Sequence, residues 1–198
     1  LLATDADTAI AAYRKAWAES PLETWATRAN ERLEALAKTA PAKDAAALTA
    51  RSLDEQLSRG MILFDGNQNV AAEAAFAAAL ALPDLDAATT CTLRFHLAQS
   101  VWKQRQRQRA APLFDLAVAD CRKAGDTDLT VRSLYQGARS YAVAGDKEKA
   151  LTLYAQIEKD FAKHRLADDA RLRAAEILTD TEKDEEADGP LEEGVGKE

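Results

Sequence analysis

Apolar and small residues repeat along the chain with the spacing of an α-helix. Each copy of the pattern has an alanine, an aromatic residue four positions later, and a small or aliphatic residue three positions further on. Offsets of four and seven return to one face of a helix. The copies are Ala9-Tyr13-Ala16, Ala72-Phe76-Ala79, Ala110-Phe114-Ala117 and Ala150-Tyr154-Ile157, and the last three begin 38 and 40 residues apart. A helix pattern that recurs at this interval predicts a stack of helical hairpins.

Proline and turn residues divide the chain into segments of helical length. Pro21, Pro41 and Pro83 lie where a helix has to end, and Asp65-Gly66-Asn67 is typical of a turn. An apolar stripe at Trp25-Ala29-Leu33-Leu36 indicates the buried face of the second helix. We predict about nine helices, namely a hairpin at 5–38, the pairs 44–64 with 69–82, 86–104 with 109–124 and 127–144 with 147–160, and a last helix at 166–180.

The composition agrees with a chain that is helical throughout. Of the 198 residues, 44 are alanine, which has the highest helix propensity, and only 8 are glycine and 5 proline. No alternating apolar run typical of a strand is present. We therefore predict an all-α helical-hairpin array, or α-solenoid, with irregular first hairpins at 5–52, regular repeats at 53–180 and a tail at 181–198.

The acidity of the chain lies in its C-terminal segment. The net charge is −7, and residues 180–198 contain nine acidic residues against two lysines, so the 24 acidic and 24 basic residues before them balance. Three glycines and a proline also interrupt this segment, and we expect the tail to be disordered. A balanced charge elsewhere argues against nucleic acid as the partner. No run of 18 apolar residues occurs, so no membrane span is predicted.

The two cysteines lie at equal distances from a predicted turn. Cys91 and Cys121 are each 15 positions from residue 106, inside the turn of the hairpin 86–124. Antiparallel helices place such residues side by side, within reach of a disulfide if both Cβ atoms point into the interface. A disulfide would indicate an oxidising compartment, which for a bacterial chain is the periplasm. The alternative is two buried free cysteines.

No arrangement of residues typical of an enzyme is present in the sequence. His96 and His164 belong to no cluster with metal-ligand spacing, and there is no glycine-rich phosphate loop, so we predict no catalytic residue, metal or cofactor. A run of basic residues that alternate with glutamines begins at Lys103 and ends at Arg109. It is interpreted either as a solvated turn or as an anion site formed by Arg105, Arg107 and Arg109.

The hairpins resemble tetratricopeptide repeats, which place small residues at fixed positions of both helices. Gly60, Ala98 and Ala138 precede the second-helix alanines by twelve residues and match the small position of the first helix. The repeat lengths of 38 and 40 depart from the 34 residues of that family. The resemblance implies that the first helices line a concave groove. The implied groove residues are Phe95, Gln99, Trp102, Lys103, Arg132, Tyr135, Arg139 and Arg171.

A longer stretch resembles one particular group of proteins. The segments 93–105, 110–114 and 133–141, together with Tyr154-x-x-Ile and His164-x-x-Ala-Asp-Asp-Ala, are similar to the tetratricopeptide-like N-terminal region of soluble lytic murein transglycosylases. Those enzymes cleave the glycan strand of peptidoglycan, and a separate lysozyme-like domain holds their catalytic glutamate. That domain's motif is missing here, because the only Glu-Ser pair, Glu19-Ser20, lies in a turn and no Gln follows Met61.

This resemblance implies a periplasmic, non-catalytic region that binds the peptidoglycan strand or positions a catalytic domain. The chain begins with Leu1 and not with methionine, so we expect a mature or excised fragment from which a targeting signal was removed. The alternative function is a tetratricopeptide adaptor for protein–protein interaction. Arg132 and Arg139 would then hold a carboxylate of a protein or peptide partner in the groove.

Overall fold

The computed structural model describes residues 6–187, with side chains described as far as Thr181. This part of the chain consists of α-helices and contains no strand. Its helices are α1 (Ala6–Glu19), α2 (Thr24–Thr39), α3 (Ala42–Thr49), α4 (Leu53–Asp65), α5 (Asn69–Leu80), α6 (Ala87–Lys103), α7 (Arg107–Ala124), α8 (Thr127–Ala144), α9 (Lys147–Asp160) and α10 (Ala167–Ala187). The prediction of an all-α helical array is confirmed.

Helices α4 to α10 form the regular part of the array. Each helix packs against its neighbours in sequence, and the pairs α4–α5, α6–α7 and α8–α9 are the hairpins. The first helices also approach one another, α4 with α6 and α6 with α8. Within the described residues, the second helices α5, α7 and α9 show no comparable approach. The first helices of neighbouring hairpins therefore lie closer together than the second helices do.

The repeated aromatic residues form the core of each hairpin. Phe76, Phe114 and Tyr154 are almost completely buried, as are the small or aliphatic residues of the same pattern. Each ring packs edge-on against a ring of the first helix, with centroid distances of 6.5 Å for Phe64–Phe76, 6.5 Å for Phe95–Phe114 and 5.8 Å for Tyr135–Tyr154. The edge-on geometry stabilises an aromatic pair in addition to the stabilisation from the apolar area that the rings bury. The Ala-x3-aromatic pattern thus marks one contact that is repeated in three hairpins.

The small residues of the first helices allow the second helices to come close. Ala98 and Ala138 are completely buried, and Gly60 is buried beneath the ring of Phe76. A Cβ atom at position 60 would lie 2.6 Å from Phe76 Cε1, which is far inside the normal separation of two carbon atoms. Glycine at this position is therefore a packing requirement.

The predicted helix 44–64 is in fact two helices. Helix α3 ends at Thr49 and α4 begins at Leu53, so residues 6–187 contain ten helices, one more than the nine expected. The break occurs because Ser52 caps α4: its hydroxyl accepts a hydrogen bond from the backbone N–H of Glu55, whose carboxylate accepts one from the N–H of Ser52. This reciprocal capping box is a strong helix start signal.

The first hairpin joins the array through α1. The Arg14 guanidinium makes two hydrogen bonds to the Glu55 carboxylate, at 2.7 and 2.6 Å, and Arg59 donates to the carbonyl oxygen of Trp17 at 2.6 Å. Burial raises the pKa of Glu55, but the hydrogen bonds from Arg14 and from the Ser52 backbone outweigh it, so the net effect is a lowered pKa. The link between α1 and α4 is therefore electrostatic as well as apolar.

The apolar stripe predicted for α2 is only partly buried. Ala29 and Leu33 lie in the core as expected, but Trp25 is 53% exposed and Leu36 is 41% exposed. The helix is rotated so that Ala26 is buried instead. Because α2 packs against α1 on one side and against the short helix α3 on another, its inner face is narrow and favours small side chains.

The C-terminal end differs in part from the prediction of a disordered tail at 181–198. Helix α10 extends to Ala187 and so into the first residues of that predicted tail. This stretch is rich in glutamate, lysine and alanine, which favour helices, and no glycine or proline occurs before Gly189. Residues 188–198 lie outside the described part of the chain. None of the described helices is long and apolar enough to cross a membrane.

Candidate functional site

Side chains of α6 and α8 form a partly exposed surface on the first helices of two neighbouring hairpins. Gln99 and Trp102 belong to α6, and Arg132, Tyr135 and Arg139 belong to α8; all five are partly exposed. Their offsets of three, four and seven residues keep each set on one face of its helix. We call these five residues the first-helix face. Arg139 joins its two rings, because its guanidinium lies near both Trp102 and Tyr135.

Phe95 does not belong to the accessible surface. It was predicted as a groove residue, but its side chain is only 1% exposed and packs in a core cluster with Val101 and Phe114. The guanidinium of Arg132 covers it, with Cζ 4.6 Å from the ring centroid. Arg132 also forms an ion pair with Asp128 at 3.4 Å. A ligand on this face would meet the arginine and not the ring beneath it.

Trp102 is surrounded by two guanidinium groups at the end of the first-helix face. Arg107 Cζ lies 3.7 Å from the Trp102 ring centroid, and Arg139 Cζ lies 5.1 Å from it. Arg107 also donates a hydrogen bond to the carbonyl oxygen of Trp102. Arg139 lies 5.9 Å from the Tyr135 ring and donates to Gln136 Oε1 at 3.3 Å. Stacking over aromatic faces orients the arginines and leaves their N–H edges available.

The charges around Trp102 are not neutralised by acidic side chains. Among the described residues, Arg105, Arg107 and Arg139 form no ion pair with a carboxylate within 4.0 Å. Burial lowers the pKa of Arg107, and repulsion from Arg139 and Arg105 lowers it further. An arginine remains charged even so. The site therefore holds several positive charges that repel one another.

The predicted anion site of three turn arginines does not form as one site. Arg107 points to Trp102, whereas Arg109 forms an ion pair with Glu73 on α5 at 2.5 Å. Arg105 is exposed in the turn, with a positive φ of 63°. The turn is thus divided between two surfaces, and only Arg107 extends the first-helix face.

Lys103 contacts the preceding hairpin and not the open groove. Its Nζ lies 3.8 Å from the Phe64 ring centroid, 3.3 Å from the Phe64 carbonyl oxygen and 3.4 Å from Asn67 Oδ1. These contacts join α6 to the end of α4 and the turn after it. The prediction that Lys103 lines a binding groove is therefore replaced by a role in packing adjacent hairpins.

Arg171 was predicted on the groove, and the structure places its side chain at the exposed start of α10. It pairs with Asp168 at 3.1 Å and with Glu158 of α9 at 3.9 Å. The neighbouring Arg173 pairs with Glu176 at 2.8 Å, and hydrogen bonding to Glu176 raises the pKa of Arg173. Both arginines of α10 are therefore held by carboxylates beside them or on α9.

The histidines have structural roles. His96 lies among three phenylalanine rings, at centroid distances of 5.4 Å from Phe64, 5.5 Å from Phe76 and 5.4 Å from Phe95. Burial lowers the pKa of His96, which favours the neutral ring at pH 7. His164 Nε2 lies 3.3 Å from Asp128 Oδ1 and connects the loop before α10 to the start of α8.

The cysteines are joined within the third hairpin. Cys91 near the start of α6 and Cys121 near the end of α7 form a disulfide with a Cα–Cα distance of 4.5 Å, and both are completely buried. Residue 106 lies in the turn between these helices, so the two cysteines, each 15 positions from it, face each other as their spacing predicted. The disulfide lies away from Trp102, which is at the opposite end of the hairpin.

The arrangement on the first-helix face is suited to binding. It offers rings, an amide and guanidinium groups, but the side chains described, those of residues 6–181, include no group of three His, Cys, Asp or Glu residues that could hold a metal ion. Comparison with protein-family models, with curated proteins and with solved structures finds no match.

Proposed function

We propose that this chain is a non-catalytic helical-repeat region of a periplasmic lytic transglycosylase. Its role is to bind the peptidoglycan strand or to position a catalytic domain outside this chain. The observation that supports the proposal is the first-helix face, where Trp102 and Tyr135 lie next to arginines of α8. Rings and hydrogen-bond donors in one groove suit a glycan that carries acidic substituents.

The disulfide supports the periplasmic part of the proposal. A buried Cys91–Cys121 bond persists in an oxidising compartment and is rare in reducing ones. The segments that resemble lytic transglycosylases also contain Trp102 and Arg139 of the first-helix face. The resemblance and the surface therefore point to the same part of the molecule.

A pull-down with purified peptidoglycan sacculi tests this proposal. We expect the chain to sediment with sacculi and the double variant Arg132→Gln/Arg139→Gln to stay largely in the supernatant. The matched control, Arg94→Gln/Arg122→Gln, changes the charge equally but alters arginines that pair with Asp120 and Asp160 elsewhere. If the wild-type chain stays in the supernatant with intact sacculi, the proposed ligand is wrong.

An adaptor for a protein partner is the second candidate. The unneutralised Arg139 favours it, because a guanidinium without an acidic neighbour can receive a peptide carboxylate. Cross-linking from a photoreactive group next to Gln99, in cells, would capture such a partner. Sedimentation with sacculi together with no protein cross-link would exclude the adaptor.

A further inference from the structure

The guanidinium groups at Trp102 have hydrogen-bonding capacity that the protein does not use. A guanidinium carries five N–H donors. In the structure, Arg107 donates to one acceptor, the Trp102 carbonyl oxygen, and Arg139 donates to one, Gln136 Oε1. Both side chains are half-buried, which restricts the water that can replace a partner. Most of the donors at this site are therefore available to a ligand.

The positions of these charges indicate an anionic ligand. Like charges close together at a partly buried site repel each other, and an anion between them turns that repulsion into attraction. The Trp102 ring fixes both planar groups at 3.7 and 5.1 Å from its centroid, so they do not have to be ordered when a ligand binds. Arginine forks match the two oxygens of a carboxylate.

We infer that Trp102, Arg107 and Arg139 form a carboxylate-binding site at the end of the first-helix face. The inference rests on the proposed function, because the peptide stems of peptidoglycan carry the carboxylates that this site would bind. This site combines two predicted groove residues, Trp102 and Arg139, with Arg107, which was predicted to belong to a separate anion site. Arg105, exposed beside them in the turn, adds positive charge that attracts the same group.

Nuclear magnetic resonance of the whole chain tests the site directly. The probes are a short alanine peptide with a free terminal carboxylate, the same peptide as a carboxamide, and inorganic phosphate. We expect the free acid to shift the indole N–H signal of Trp102, assigned with Trp102→Phe, and the Nε–H signals of Arg107 and Arg139. The carboxamide should bind roughly tenfold or more weakly, because it loses the charged hydrogen bonds.

Variants distinguish a specific site from general charge attraction. Arg107→Gln and Arg139→Gln should each weaken the binding of the free-acid peptide about tenfold. Arg107→Lys should restore little of that affinity, because lysine lacks the planar fork of the guanidinium. Arg122→Gln, which removes a charge from the far end of α7, should change nothing. Circular dichroism and thermal unfolding show whether each variant is folded. Equal binding of the acid and the carboxamide, or tighter binding of phosphate, would overturn the carboxylate assignment.

Sacculi separate this inference from the proposed function. Converting the carboxylates of sacculi to carboxamides should reduce sedimentation of the chain if both are right. If carboxamide sacculi retain the chain as well as native sacculi do, the carboxylate site is wrong and the proposed function stands. If neither kind of sacculus retains the chain but the free-acid peptide still shifts Trp102, the proposed function is wrong and the carboxylate site stands.

Discussion

Replacing Gly60 by alanine places a methyl group in steric overlap with the ring of Phe76. The new Cβ would lie 2.6 Å from Cε1, 2.9 Å from Cδ1 and 3.1 Å from Cζ of that ring. Carbon atoms normally approach to about 3.5 Å, so the ring or the helix has to move. The ring of Phe76 has no space into which it can move, because it is completely buried among residues of α4, α5 and α6. The substitution therefore strains the first regular hairpin.

Two opposing effects set the magnitude. Overpacking a core typically costs about 1–3 kcal/mol. Alanine in a helix interior is favoured over glycine by about 0.5–1 kcal/mol, and Gly60 lies inside α4. The strain is larger, so we expect Gly60→Ala to lower the free energy of unfolding by about 1–2 kcal/mol.

Gly137→Ala is the matched comparison. Gly137 also lies inside a helix, but a Cβ there would be 3.2 Å from Phe114 Cβ and 3.5 Å from the flexible end of Leu153. The gain in helix propensity is the same, and the small clash roughly cancels it. Urea unfolding followed by circular dichroism should therefore show Gly60→Ala less stable than Gly137→Ala, with similar denaturant slopes.

A double-mutant cycle with Phe76→Leu tests the cause. Leucine removes ring atoms that the new methyl group would meet, so it should cost less stability in the Gly60→Ala background than in the wild type. The interaction free energy should be about 0.5–3 kcal/mol, as for residues in contact. If Gly60→Ala is as stable as Gly137→Ala, or if the cycle shows additivity, the close approach of α4 and α5 is not the reason for glycine.

Three further substitutions probe other contacts. Cys91→Ala/Cys121→Ala should lower the unfolding free energy by about 3–4 kcal/mol in the chain-entropy model, because the disulfide spans 30 residues, and urea unfolding measures this. Glu55→Gln should flatten the loss of stability in acid: the lowered pKa of Glu55 stabilises the fold above the unfolded value of 4.5, and this is lost as pH falls through the folded value. Tyr154→Phe should reduce the loss of stability in alkali. Burial raises the pKa of Tyr154 from 10.0 to about 12, so its contribution is complete below pH 10 and is lost as pH rises through 12.

Each of these expectations has a result that contradicts it. Reducing the wild type without loss of stability would show that the disulfide does not constrain the unfolded chain. Parallel acid unfolding curves for Glu55→Gln and the wild type would show that the carboxylate is not held by Arg14. An ultraviolet titration in which all four tyrosines ionise together near pH 10 would contradict the burial of Tyr154.

The repeated helical spacing predicted most of the regular array correctly. Ala110, Phe114 and Ala117 are buried as their offsets of four and seven require. The break at Ser52 was missed because residues 44–64 were predicted as one helix, although Ser52 and Glu55 form a capping box that is visible in the sequence. Apolar periodicity shows which face of a helix is buried, and capping residues show where the helix begins.

The candidate site was predicted only in part. The resemblance to tetratricopeptide repeats placed Trp102, Tyr135 and Arg139 on one surface, and Arg139 contacts both rings in the structure. The same resemblance placed Phe95 there, but the ring packs inward because the neighbouring helix α7 presents Phe114. Arg107 was assigned to the turn, and its contact with Trp102 depends on how the chain reverses between the two helices.

The sequence by itself determined that this chain forms helical hairpins, that the three regular ones each bury an aromatic residue of the second helix, and that Cys91 and Cys121 lie side by side. Those features follow from distances along the chain, since helical periodicity and antiparallel pairing convert sequence separation into position. The tertiary structure alone decided which charged groups meet: Arg171 at Glu158, Arg109 at Glu73, and Arg107 together with Arg139 at Trp102. Long flexible side chains reach partners on other helices, and the rotation of each helix that selects those partners is set by packing across the whole stack.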